Sequence, residues 1–104
     1  MPHKVVITRT AERNLEAIGD YIALDNPEKA RETIARLRAS IESLTQFPGR
    51  NRIRKDLGQD RRVLVVENYL VVYRVDGNAV IIQRVSEGSR DMTRLLDDEE
   101  GSRD

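Results

Sequence analysis

The chain has 104 residues, 35% of them charged and only 4% aromatic, with 18 basic residues balancing 18 acidic ones. That length makes one domain with one core, and the core must be small and aliphatic, because Phe47 is the only Phe and Trp is absent. With no Cys and His3 as the only His, disulfides, thiolate metal sites, a His-based metal cluster and a Ser-His-Asp triad are excluded, and no apolar run reaches the roughly 18 residues of a membrane span.

His3 to Ile7, HKVVI, fits a short strand that joins a sheet at its edge. Thr8 or Thr10 then supplies a helix N-cap, its hydroxyl accepting from a free N–H of the first turn. Ala11, Leu15, Ile18 and Ile22 follow at helical spacing and make one apolar stripe, with Tyr21 on its flank. Asp25-Asn26-Pro27 ends that helix and starts another. Asn26 is a good N-cap, and Pro27 at the first helical position loses an N–H that had no partner. The second stripe is Ala30, Ile34, Leu37, Ile41 and Leu44, stopped by Phe47-Pro48-Gly49. So short a link predicts an antiparallel helical hairpin. Each helix has one apolar stripe, so the pair needs a further surface to pack on.

Arg61 to Val85 supplies it. The run contains seven Val between Val63 and Val80, followed by Ile81, Ile82 and Val85. β-Branched residues at this density favour a pleated, half-buried surface. Asp76-Gly77 interrupts the run as a hairpin signal, and Glu67-Asn68 marks a second break. Three antiparallel strands are expected, roughly Arg62–Val66, Tyr69–Val75 and Ala79–Val85. Tyr69 and Tyr73 share one strand face by alternation, as core or rim residues. The order β-α-α-β-β-β predicts an α+β fold, a helical hairpin on a four-stranded antiparallel sheet.

Charge is unevenly placed. Segment 50–62 carries Arg50, Arg52, Arg54, Lys55, Arg61 and Arg62 against Asp56 and Asp60. Its apolar anchors are Ile53 and Leu57, and it reads as an ordered surface loop. Segment 97–104 carries Asp97, Asp98, Glu99, Glu100 and Asp104 against Arg103. Residues 1–96 are expected to form the domain and residues 97–104 a disordered acidic tail. Such a basic loop and acidic tail suggest charged partners.

Several pieces stand in a fixed order: Thr8, Ala11, Leu15, Ile18 and Tyr21-Ile22; Asn26-Pro27 with Ala30; Leu44 with Phe47-Pro48-Gly49-Arg50. Then come Arg62-Val63-Leu64-Val65, Tyr69 to Val75, Ile82 with Arg84-Val85, and Gly88 with Arg90-Asp91. At these spacings, over roughly residues 4–96, the chain resembles the RelE/ParE superfamily of bacterial toxin–antitoxin toxins and is most similar to the ParE branch. The resemblance implies a cytoplasmic toxin of a plasmid-stabilisation or stress module, in a hetero-oligomer with a cognate antitoxin that covers the hairpin and sheet. ParE-branch toxins block DNA gyrase by protein contact. RelE-branch toxins cleave mRNA in the ribosome, and one fold serves both.

A metal-free ribonuclease needs a base for the ribose 2′-OH, an acid for the leaving oxygen and cations on the phosphate. Cations are plentiful. If the chain is a nuclease, Arg62, Arg74, Arg84, Arg90 and Glu87 are the candidate catalytic residues. The Tyr or His that the family's ribonucleases commonly place in their C-terminal segment is missing from Arg90 to Leu96. Glu87 also stands where many ParE-like chains have His. The expectation is therefore a gyrase inhibitor rather than an enzyme. A ribosome-dependent endoribonuclease and a non-toxic, antitoxin-binding remnant are the alternatives. Arg61, Arg62, Arg74, Arg84, Arg90 and Asp91 are the expected partner-binding residues, with Arg84 either contacting a partner or paired with Asp91 or Glu67. No Gly-rich phosphate loop is present, and no cofactor, metal or membrane is expected.

Overall fold

Strands form where the β-branched residues are densest. In the structure, a computed structural model that describes residues 3–46, 48–49, 53 and 60–88, β2 spans Arg61–Val66, β3 Tyr69–Asp76 and β4 Ala79–Glu87. Ahead of them come β1 (Lys4–Ile7), α1 (Arg9–Ala23) and α2 (Pro27–Glu42), the last running into a 3-10 turn at Ser43–Thr45. Strand order across the sheet is β1-β4-β3-β2. Gly77 takes a left-handed φ of 59° in the turn after Asp76, as an Asp-Gly hairpin requires. In the β2–β3 turn the left-handed residue is Glu67, at φ 56°, and the Arg36 guanidinium of α2 holds its carboxylate at 2.7 Å.

Both helices begin as the sequence predicts. Thr8 is the N-cap of α1, accepting from the Ala11 N–H at 3.2 Å, and Asn26 caps α2 through the Lys29 N–H at 3.1 Å. They lie antiparallel: Glu12 near the start of α1 bonds Arg38 of α2 at 2.8 Å, while Gly19 further along α1 approaches Ile34. Ala11 and Leu15 of α1, with Leu37, Ile41 and Leu44, pack on Val66, Tyr69, Val71, Tyr73, Val80, Ile82 and Val85. At the hairpin tip Tyr21 and Leu24 remain exposed.

The three expected antiparallel strands pair as such, but β1 lies parallel to β4, so the sheet is mixed rather than wholly antiparallel. Chain parity dictates this. The hairpin returns the chain to the end of the sheet where β1 began, with the Thr45 carbonyl accepting from the His3 N–H at 3.0 Å. Strand β2 therefore starts at that end, parallel to β1, and two reversals give β4 the same direction. With β3 in the middle, any edge position offers β1 a parallel neighbour.

Thr8 also joins the layers. Its hydroxyl donates to the Ile82 carbonyl at 2.7 Å while capping α1. Thr8→Val keeps the shape and removes both bonds, and should cost about 2 kcal/mol. Urea unfolding would show this as a lower midpoint with an unchanged slope.

Candidate functional site

The sheet has one face under the helices and one turned away from them. Alternation places Leu70, Val72, Arg74 and Asp76 of β3 on the outer face, opposite in direction to the core residues Tyr69, Val71 and Tyr73. Register then fixes the neighbours. Arg61 of β2 is directly opposite Arg74, Ile81 of β4 lies on its other side, and Val6 of β1 lies beyond Ile81.

Arg84 joins this face because of a β-bulge. Val72 pairs with Arg84 and Tyr73 with Ile82, which leaves Gln83 as an extra residue in β4. Strict alternation would put Arg84 on the same face as Val80 and Ile82, under the helices. The extra residue re-aims the strand. Val80, Ile82 and Val85 all reach the core, and Arg84 turns outward beside Val72. On its other edge β4 loses β1 beyond Ile82, and there the Val85 N–H finds the Asn14 side-chain oxygen at 3.0 Å.

The outer face therefore carries Arg61, Arg74 and Arg84. Lys4 sits at its β1 edge, next to Ala79 and thence Asp76. Lys4 was not among the expected site residues, because it joins the face only through the parallel pairing of β1. Arg74 is 3.4 Å from the Asp76 carboxylate, and both side chains are substantially exposed. Arg61 and Arg74 remain a directly opposed like-charge pair, an arrangement that lowers sheet stability.

Other expected site residues lie elsewhere. Arg62 is opposite Tyr73 and so on the helix face, where its guanidinium approaches the Gly49 carbonyl at 3.4 Å. This parity separates it from Arg61 and Arg74. Glu87 is the last residue of β4 and pairs with Tyr69, so it also leaves the arginine face. Glu67 pairs with Arg36 rather than Arg84. Arg90, Asp91, the acidic tail and most of the basic loop lie outside the described residues. Of that loop, Ile53 forms an antiparallel bridge with Arg62.

Neither strand tyrosine reaches the arginine face. Tyr73 is fully buried and its hydroxyl donates to the Pro48 carbonyl at 2.8 Å. Burial, and then the Glu87 and Glu67 carboxylates, push the Tyr69 phenol above its ordinary pKa, so it holds its proton more firmly. His3 precedes β1, and Tyr21 is at the far tip of the hairpin. Among the described residues no group of three His, Cys, Asp or Glu side chains is placed to hold a metal ion. No described helix is long and apolar enough to cross a membrane.

A second surface lies on the hairpin. Gly19, Ala30, Arg31, Ile34 and Ala35 line a shallow groove of about 390 Å³ between α1 and α2. A Cβ on Gly19 would come within 3.2 Å of Ile34, so the glycine allows the close helix approach.

The family model of the ParE toxin of the type II toxin–antitoxin system parDE matches residues 5–92. Toxin RelE2 of Caulobacter vibrioides is 33% identical over 87 residues, covering 84% of this chain and 97% of that protein. Toxin ParE3 of the same organism is 28% identical over 94 residues, covering 89% and 94%. Among solved structures, a chain of the chromosomal ParDE toxin–antitoxin system of P. aeruginosa superposes with a TM-score of 0.74 at 27% identity, covering 84% of this chain and 97% of that one. A mixed sheet under a helical hairpin, matched along nearly its whole length, places this chain in the ParE toxin family of type II toxin–antitoxin systems.

Proposed function

We propose that the chain inhibits DNA gyrase in the cytoplasm by protein–protein contact through the outer sheet face, and that a cognate antitoxin holds it inactive. The observation that carries this reading is a cationic face without a proton shuttle. Among the described residues, the ionisable side chains placed there are Lys4, Arg61, Arg74, Arg84 and Asp76. Beyond Gly88 the sequence supplies neither His nor Tyr. Guanidinium and ammonium groups are hydrogen-bond donors with no acceptor site, so they suit binding an anion better than taking a proton from a ribose hydroxyl. They suit an acidic protein surface or a DNA phosphate near gyrase. A supercoiling assay with purified components tests this. Inhibition should saturate near one toxin per gyrase subunit, and full gyrase activity in a large excess of toxin would overturn the reading.

One observation favours a second reading, ribosome-dependent mRNA cleavage. The bulge gathers Arg84 with Arg61 and Arg74 as a phosphate-binding set would need, and a 33% identical relative is named RelE2. Primer extension after induction would then show cleaved transcripts, lost on Arg84→Ala with the fold intact.

The antitoxin is proposed to use the hairpin groove, whose apolar lining suits the nonpolar side of a partner segment. Ala35 is exposed at its rim and outside the core. Ala35→Arg should weaken antitoxin binding about tenfold, or roughly 1.4 kcal/mol, by crowding the groove. Isothermal titration would read the affinity, and the melting temperature should stay within about 3 °C of native.

A further inference from the structure

We infer that the hairpin groove selects its antitoxin segment by charge as well as by shape. The segment turns two basic side chains to Glu16 and Asp20 of α1 and an acidic one to Arg31 of α2. This rests on the proposed docking of the antitoxin in that groove and adds what the groove requires of it. Gly19 and Ile34 line the apolar cavity between the helices, and they also line a second cavity of about 460 Å³. The two are therefore one continuous groove. Its α1 wall is Glu12, Glu16 and Asp20, spaced four residues apart and so on one side of the helix. Its α2 wall carries Arg31 and Arg38.

These walls are only partly neutralised from within. The Glu12–Arg38 bond, at 2.8 Å, spans the two helices and uses one charge from each wall. Glu16, Asp20 and Arg31 are exposed, and none makes an ion pair with another described residue. Asp20 also stands in the last turn of α1, where the helix dipole disfavours an acid and no basic residue offsets it. Its charge does not serve the helix that carries it. Glu16 and Asp20 lie one turn apart, about 6 Å along the axis, so basic residues at i and i+4 of a helical segment match both. Between the walls the floor is apolar, at Gly19, Ala30 and Ile34. The segment therefore needs nonpolar side chains between its charges. Turned the other way, it would set base against Arg31 and acid against Asp20. The walls thus fix its orientation and reject segments of the reversed pattern.

The test uses the full-length chain with purified cognate antitoxin as the probe. Affinity is measured by biolayer interferometry at about 0.1 M and about 1 M salt, where screening acts over about 10 Å and 3 Å. Four chains are compared: native, E16K/D20K, R31E and E32K/E42K. The last makes the same change in net charge as E16K/D20K, at exposed positions of α2 that do not line the groove. At the lower salt, E16K/D20K should weaken binding about thirtyfold and R31E about fivefold, with E32K/E42K within about twofold of native. Most of the loss should vanish at the higher salt. D20K suits the end of α1, so the melting temperature of E16K/D20K should not fall, and R31E repeats the test on the other helix. Equal losses in E16K/D20K and E32K/E42K would mean only long-range net charge and would overturn the inference. Ala35→Arg separates this inference from the docking beneath it. If Ala35→Arg leaves antitoxin binding intact, the groove is not the docking site and both fail. If it weakens binding while E16K/D20K matches E32K/E42K, the docking stands and the charge selection alone fails.

Discussion

The Arg61→Gln/Arg74→Gln double variant should lose growth inhibition on induction while remaining folded. Both side chains lie on the outer sheet face, away from the helical hairpin, so no core contact is removed. Stability should not fall, because the substitution removes two directly opposed like charges. The variant also frees Asp76 from its 3.4 Å contact with Arg74, an exposed pair of small worth. The melting temperature should therefore stay level or rise by a degree or two. Function should change far more. Truncating charged side chains at the centre of an interface costs about 2–5 kcal/mol, a loss of roughly thirtyfold to several thousandfold in affinity. Colony counts after induction in cells without antitoxin would read this directly. A double variant as toxic as the native chain would move the functional surface off this face.

Tyr73→Ala should be the most damaging single change to the fold. Tyr73 is among the largest fully buried side chains, and its hydroxyl donates to the Pro48 carbonyl at 2.8 Å. Removing a buried ring of this size costs about 3–5 kcal/mol through lost contacts and the cavity left behind. Losing the bond to Pro48 adds about 1 kcal/mol. Together these remove much of the roughly 5–15 kcal/mol by which a small domain is stable. Circular dichroism should show a largely unfolded chain, and a variant that melts within a few degrees of native would show that the ring does not carry the core. Deleting Gln83 should do far less. Ile82, Arg84 and Val85 then become consecutive, and plain alternation keeps Ile82 and Val85 in the core with Arg84 outward.

The helices were legible because their signals are local. Thr8, Asn26 and Pro27 set starts, and the stripe from Ala30 to Leu44 sets a face. The Asp76-Gly77 and Glu67-Asn68 breaks likewise located the turns. Glu67 at φ 56° is less expected, since this region suits Gly or Asn, and its tie to Arg36 lies 31 residues away. The direction of β1 was implicit in chain parity but not in any residue near it. The site was half legible. Arg61, Arg74 and Arg84 do meet on one face, whereas Arg62 and Glu87 turn to the other. Counting in twos from Ile82 sends Arg84 the wrong way. Nothing in Ile82-Gln83-Arg84-Val85 marks the bulge, except that Val80, Ile82 and Val85 cannot otherwise share a face. Tyr73 was placed as core or rim, but its bond to Pro48, 25 residues away, has no sequence signal.

The partner of β1 is β4, the last made of the described strands. Thr8 and Ile82 are 74 residues apart, yet α1 is fastened to the sheet through them. At about 5–20 residues per second, a ribosome needs roughly 4–15 s to add that stretch. During that interval Val5 and Ile7 lack their strand partners Val80 and Ile82, and helix α1 lacks its anchor on β4. The sheet and the anchor of α1 therefore form only after β4 has been translated. A message cut short before the codon for Ala79 yields a chain whose first strand has nothing to pair with.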